Sequence, residues 1–353
     1  MVSVQGDGRG AADRVRTAEM PGGRSEIRKR DTEIRRSGER VPADSWRSPV
    51  LAVRASSMGD VIMALDAVSR LKARRPDLEV DFLTRRPFAP LARLAPAVRE
   101  VLTPPSASGR SYEILWDLQG GSKGRRTARG ARWKQRVDFH NQALRRRLLV
   151  WLGRRVPAPD HLLQRFLKPV LGPAPAGVSP AFLHHPAPAV TGDPPAVGLA
   201  PHARYAMKEL PFKTFLDFSR ALSQTGLRAV WLWDPQRPLP EELQGEPVVH
   251  GSLEDAAAAV AGCRAVVAGD TGLGHLATGL GKPVVSIFGS TVPELGYAPA
   301  GRHAVVAVDL TCRPCHVHGA RHCWLGHGRC LREIGAADLM QALKSLLDPS
   351  CCQ

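Results

Sequence analysis

Three short segments carry side chains able to move a proton or hold an anion. The first, Arg54-Ala55-Ser56-Ser57-Met58-Gly59-Asp60, reads as a strand end, a small-residue loop and a helix start. Small residues let the backbone close on a ligand, and the free N–H groups of a helix start keep a carboxylate ionised. Asp60 therefore reads either as a proton acceptor or as an ordinary N-cap. The second, Gly269-Asp270-Thr271-Gly272-Leu273-Gly274-His275, is a glycine-rich turn after an apolar strand, whose exposed N–H groups suit a diphosphate. Its spacing is not the G-x-G-x-x-G of a dinucleotide site. The third, Ala200-Pro201-His202-Ala203-Arg204, ends a strand shortly before Lys208. That lysine reads as a cation for a leaving phosphate or as a solvated surface residue.

Cysteine is unevenly placed. Of seven, Cys263 stands alone in a helical pattern as a small core residue, and Cys351 and Cys352 end the chain. Cys312, Cys315, Cys323 and Cys330 fall in one short stretch, with His316, His318, His322 and His327 among them. The Cys312-x2-Cys315 spacing is that of a zinc knuckle, and four thiolates would complete a structural site. Free thiols and disulfides are the competing readings.

The elements that must position these groups alternate. Apolar runs at 50–54, 79–84, 98–102 and 112–117 read as strands, separated by helical patterns at 61–75 and 87–94. A second block has strands at 196–200, 228–233, 265–269 and 284–288 and helices at 211–225, 252–262, 272–281 and 336–347. Such alternation gives βαβ units and parallel sheets, here two doubly wound halves with a site in the crevice between them. The divisions read as a disordered arm over 1–49, an N-terminal domain over 50–185, a linker over 186–195 and a C-terminal domain over 196–335. The Cys-rich segment spans 312–330, and a terminal helix and tail occupy 336–353.

The 353 residues suffice for two such domains, and 43% hydrophobic with 23% charged residues is a globular balance. No run approaches the roughly 18 apolar residues of a membrane span, and residues 1–49 lack a secretory signal core, so the cytoplasm is the expected compartment. Lys plus Arg number 49 against 33 Asp plus Glu, a net charge of +16. That excess fits an anionic partner: nucleic acid, anionic lipid or a phosphorylated sugar. Much of it lies between Lys123 and Arg147. A nucleic-acid reading needs aromatic platforms there, and only Trp133, Phe139 and Trp151 are near.

Taken in order, the segments "LAVRASSMGDVIMALDAVSRLKARRPDLEVDFLTRRPFAPL", "YEILWDLQGGSKGR", "APHARYAMKELPFKTF" and "VVAGDTGLGHLATGLGKPVVSIFGST" resemble glycosyltransferase family 9, the ADP-heptose:lipopolysaccharide heptosyltransferases. The final "CRPCHVHGARHCWLGHGRCLREI" is similar to the Cys-rich tail of many members. The resemblance implies a GT-B fold, two Rossmann-like domains with parallel sheets facing across a cleft. It also implies inverting transfer of a heptose or related sugar from an ADP-sugar to the lipopolysaccharide core, without a catalytic cofactor. By motif position Asp60 is the general base. Lys208, Asp270, Thr271, Gly272, Leu273, Gly274 and His275 are placed at the donor, with Asp234 at its ribose. Ser57, Gly59, Lys123, Arg125 and Arg126 are placed at an anionic, Kdo-bearing lipid A acceptor, met through peripheral contact with the inner face of the inner membrane. The alternative is transfer of another nucleotide sugar to a different surface glycan. Departures from the family pattern bear on the sugar: His202 and Ala203 replace Gly and Ser or Thr, Leu210 a Trp, Asp66 a Pro, and Ser290 and Val292 a Pro and an Asp.

Overall fold

The computed structural model describes residues 40–173 and 179–348. All of them belong to one compact unit, Ile34–Gln353. Of the arm expected over 1–49, residues 1–39 lie outside the described residues, as do 349–353 at the end of the expected tail.

The first half runs β1 (Val50–Val53), α1 (Met58–Arg74), β2 (Val80–Leu83), α2 (Ala89–Arg93), β3 (Glu100–Leu102), β4 (Ser111–Asp117), α3 (Gly121–Thr127), β5 (Arg132–Asp138), α4 (Ala143–Leu152) and α5 (Leu162–Leu171). Its sheet has the order β3-β2-β1-β4-β5, every pair parallel. The second half runs β6 (Ala196–Ala200), α6 (Phe212–Ser223), β7 (Arg228–Leu232), β8 (Val248–Val249), α7 (Leu253–Gly262), β9 (Ala265–Gly269), α8 (Gly272–Gly279), β10 (Val284–Ile287), β11 (His303–Val306), α9 (Arg329–Arg332) and α10 (Ala336–Leu347). Its sheet, order β11-β10-β9-β6-β7-β8, is again wholly parallel. The central strands β1, β6, β9 and β10 are buried along their whole length. Their unbroken apolar runs reflect helices covering both faces.

Helix α1 lies between the sheet, α5 and α8, and is buried over most of its circumference from Val61 to Val68. It stops where Pro76 would remove the next backbone donor. Terminal helix α10 places Leu339, Leu343 and Leu346 in the core of the second half, against α6 and β11, and so is part of that domain.

Three boundaries differ from the sequence reading. Folded chain begins before Val50: Trp46 is fully buried, edge-on to Trp116 at 5.5 Å, and its Nε1 donates to Val41 O at 3.2 Å. Val41 N in turn donates to Pro169 O at 2.8 Å, so residues 40–49 are anchored rather than a free arm. The basic stretch after Gly120 holds α3, β5 and α4. Strand β5 escapes notice because an edge strand alternates charge on its open side. The crossing between halves begins before 186. Ser179 N donates to Ala300 O, and Phe182 N and Leu183 N both donate to Gly279 O, each at 2.9 Å.

Asp66, unusual for a buried helix position, is satisfied there. Its carboxylate accepts from Arg70 Nε at 3.0 Å and from Ser179 Oγ at 2.6 Å, tying α1 to the crossing segment. Leu210 is buried in the second core, and Ser290 donates to Met207 O at 3.1 Å.

Candidate active site

Strands β1 and β9 end facing a cleft of about 580 Å³ between the halves. Ser57, Gly59, Asp60 and Lys123 line it from the first half, and Lys208, Asp270, Thr271, Gly272 and His275 from the second. The carboxylate and the glycine-rich turn, separated by some two hundred residues of chain, thus share one cavity.

Asp60 stands in the first turn of α1, its side chain 18% exposed. Its Oδ2 accepts from Ser57 N at 3.0 Å and Ser57 Oγ at 2.9 Å, and meets an Arg54 guanidinium nitrogen at 2.6 Å. Burial pushes this carboxyl up, but the Arg54 charge and the Ser57 and Arg54 hydrogen bonds outweigh it and leave its pKa lowered. The N-cap of α1 is Ser57, not Asp60 as the capping reading had it; Asp60 is the N3 member of the capping box, and its carboxylate is held ionised. Arg54 is fixed by donating to Leu118 O at 2.6 Å.

Across the cleft, Lys208 Nζ meets Asp270 Oδ2 at 2.6 Å, and Thr291 Oγ1 donates to the same oxygen at 2.8 Å. Gly269 is required where this loop passes, since a Cβ there would lie 2.5 Å from Lys208 O. Thr271 stands at the N-cap position of α8 without a side-chain capping bond, and its buried Oγ1 has no hydrogen-bond partner among the described residues. The open N-terminus of α8 leaves N–H groups and the positive end of its dipole beside Lys208.

The halves touch at two glycines. A Cβ on Gly59 would fall 2.6 Å from His275 Cδ2, and one on Gly272 would fall 2.6 Å from the Met58 side chain. His275 is buried, its Nδ1 has no hydrogen-bond partner among the described residues, and burial pushes its imidazole down to about 4. The ring is therefore neutral at ordinary pH.

A second cavity of about 500 Å³ adjoins the cleft, sharing Met58, Arg204, Thr271 and Gly272 with it. Asp234 and Leu273 line this second space, with His202 packed edge-on to Trp233 at 4.2 Å. Not every expected residue converges. Gly274 packs against Pro299 and Val284 and lines neither cavity. Arg125 and Arg126 are exposed on α3, away from the cleft wall. The structure adds Arg54, Gln119, Arg204, Tyr205, Tyr297 and His318. Gln119 Oε1 accepts from Ala55 N at 3.0 Å, holding the loop before Asp60.

The four cysteines do not assemble a metal site. Among the described residues no three His, Cys, Asp or Glu side chains are grouped to hold an ion. Cys330 is buried in the second core, and Cys315 Sγ donates to Cys312 O at 2.9 Å. Cys312 and Cys323 act electrostatically on Cys330, and Cys312 and Cys330 on Cys315, so the thiols are neighbours, though not grouped closely enough to hold an ion. As placed, the residues do not fit the tetrathiolate zinc site that their spacing led one to expect.

Two parallel sheets facing across a cleft, with the Asp60 loop and the glycine-rich turn at their carboxyl ends, define a GT-B type fold. The same architecture is found in the E. coli heptosyltransferase WaaC with ADP (TM-score 0.63, 23% identity, covering 84% of this chain and 99% of that one). It is found also in E. coli ADP-heptose lps heptosyltransferase II (TM-score 0.64, 18% identity, covering 85% and 98%). In sequence, the chain is 28% identical over 311 residues to lipopolysaccharide heptosyltransferase 1 of Pseudomonas aeruginosa, spanning 75% of this chain and 85% of that protein. The sequence model of glycosyltransferase family 9 (heptosyltransferase) matches residues 171–324. Over these residues the chain is similar to glycosyltransferase family 9.

Proposed function

We propose that this glycosyltransferase moves a heptose, or a closely related sugar, from an ADP-sugar to an anionic lipopolysaccharide-core acceptor, with inversion at the anomeric carbon. The observation that carries the reading is the shared cleft: an ionised carboxylate from the first half opposite a cation and a helix N-terminus from the second. Asp60 takes the proton of the acceptor hydroxyl as its oxygen attacks the anomeric carbon. The bond from that carbon to the diphosphate breaks, and its electron pair leaves with the nucleoside diphosphate. Lys208, Thr271 and the α8 N–H groups hold the charge that develops there. Asp270 positions Lys208 between donors. The nucleoside occupies the cavity lined by His202, Trp233 and Asp234, with Asp234 on the ribose hydroxyls. The acceptor enters from the side of Lys123 and Gln119, where a cation suits its phosphates and carboxylates.

Relatives named lipopolysaccharide heptosyltransferase support both donor and acceptor, as does a family-fold structure described with ADP-2-deoxy-2-fluoro heptose. Work at the inner face of the inner membrane follows from such an acceptor. No helix among the described residues is long and apolar enough to cross a membrane. One observation favours a second reading, a different nucleotide sugar: His202 occupies the nucleoside cavity where many family members carry glycine.

The test is a transfer assay with Kdo-bearing lipid A as acceptor and ADP-heptose, UDP-sugars and GDP-sugars as donors, read by product mass. Gain of one heptose only with ADP-heptose is expected. Transfer from a UDP- or GDP-sugar instead would replace the donor assignment, and no transfer from any would remove the acceptor.

A further inference from the structure

Helix α4 turns its side chains the wrong way round for a helix packed on a core. Its inward face carries Arg146 and Leu149, both buried. Arg146 donates to Asn141 O at 2.6 Å and Asn141 Oδ1 at 2.9 Å, and its guanidinium lies 5.4 Å from the centre of the Tyr297 ring in the cleft wall. At about 100° per residue, Leu144, Leu148 and Trp151 form one stripe on the opposite face. Leu144 is 69% exposed and Trp151 is 86% exposed, with Leu152 beside them at 48%. Exposed Arg145 and Arg147 flank the stripe, and Arg155 follows it.

This surface is not an isolated leucine or two. Of the seven large apolar side chains exposed among the described residues, three lie on α4 and two, Trp324 and Leu325, lie in the Cys-rich segment. A groove of about 1010 Å³ runs between the end of α4 and that segment, walled by Trp151 and Leu152 on one side and Cys312 and Pro314 on the other. Val292 lines both this groove and the catalytic cleft. The groove at the Trp151 end of the stripe therefore adjoins the active-site cleft. Apolar patches of this kind on a soluble fold mark contact surfaces.

We propose that α4 is the surface by which the protein rests on an anionic phospholipid bilayer. Leu144, Leu148 and Trp151 enter the interface, and Arg145, Arg147 and Arg155 meet headgroup phosphates. An apolar stripe with tryptophan, flanked by arginine, is the composition of an interfacial helix. Charge chooses the occupant. A second copy packed on this face about a twofold axis would bring Arg145 and Arg147 against the same residues, and no carboxylate stands on the stripe to relieve them. Anionic headgroups neutralise them instead, while the long arginine stems lie along the apolar boundary. A lipid-anchored acceptor could then reach the cleft without leaving the bilayer. Docking itself is independent of the transfer reading, because it is measured with no sugar present.

The full chain is mixed with vesicles of phosphatidylcholine alone or of an equimolar mixture with phosphatidylglycerol, at low and high salt, and the bound fraction is read by flotation. Expected are binding to the anionic vesicles, weakening by salt, and a loss of about tenfold in Leu144→Ser/Trp151→Ser. Arg145→Gln/Arg147→Gln should remove most of the salt dependence. Brominated lipids should quench the tryptophan emission of the unaltered chain more than that of Trp151→Phe, a readout that needs no destabilising change. Equal binding of the Leu144/Trp151 variant, equal binding to neutral vesicles, or no extra quenching at Trp151 would overturn the proposal. So would a concentration-dependent dimer in sedimentation that Leu144→Ser/Trp151→Ser dissolves, which would assign the face to a second copy.

Discussion

Arg54, one residue past β1, reaches over the loop to hold Asp60 at 2.6 Å, in the first turn of α1. The pair solves a conflict. A carboxylate in a closed cleft tends to take up a proton, and one that is protonated accepts nothing from a hydroxyl. With Arg54 and Ser57 around it, Asp60 stays ionised while keeping an edge on the cavity.

Replacing Asp60 by Asn keeps the shape and the hydrogen bond to Ser57 but removes the proton acceptor. Turnover should fall by roughly 10²- to 10⁴-fold, the usual span for losing a general base. Affinity for the nucleoside diphosphate, measured by calorimetry, should change little, because Lys208 and the α8 turn lie on the other wall. Transfer at the parent rate would take the base assignment away from Asp60.

Arg54→Met tests the electrostatics separately. Without the guanidinium, burial acts on Asp60 with less opposition, so its pKa rises. Activity needs the ionised form, and the acidic limb of the pH dependence of kcat/KM should therefore move to higher pH. Activity well above that limb should recover in part. A limb that stays in place would show that Asp60 is not the group titrating there.

Lys208→Ala removes a charge-assisted contact to the diphosphate. Such contacts are worth about 1.5–3 kcal/mol, so the donor Kd should rise roughly 10- to 100-fold. Asp270, left without its 2.6 Å partner, adds to the loss by repelling the phosphates. Unchanged binding of both donor and free nucleoside diphosphate would place Lys208 outside the donor site.

What could be read before folding was whatever is local. The loop before Asp60 and the turn at 270–275 each pack their chemistry into a few consecutive residues after an apolar strand, and residues of both line the cleft. Residues that act at a distance were not visible. Gln119 matters because Asp117, fully buried, accepts from Gln119 N at 3.0 Å and Gly120 N at 2.8 Å and aims the loop. Tyr297 matters because Arg146 and Arg165 converge on its ring from α4 and α5, each at 5.4 Å. Arg125 and Arg126 do not line the cleft, because charge density along a chain does not tell which face of a short helix looks inward. Trp46 shows that one large aromatic can anchor a stretch with no periodicity at all.

His275 yields a prediction about stability rather than rate. Its ring fills the space that a side chain at Gly59 would take, and burial pushes its imidazole down to about 4 from an ordinary 6.5, against the upward pull of Asp270 and Asp60. In the unfolded chain the ring titrates near its ordinary value. Between about 6.5 and 4 the unfolded state therefore binds a proton that the folded state refuses. The contribution is complete above that window and is lost as pH falls through it, on the order of 3 kcal/mol at most. Urea unfolding across this range should show stability declining on the acid side for the unaltered protein. His275→Asn, which has no imidazole to protonate, should be less stable at neutral pH but decline with a shallower slope. The slopes carry the test, since the variant also loses packing against Gly59. Parallel curves for the two proteins would mean that His275 takes up its proton as readily in the fold as outside it, and that the contact between the halves at Gly59 is open to water.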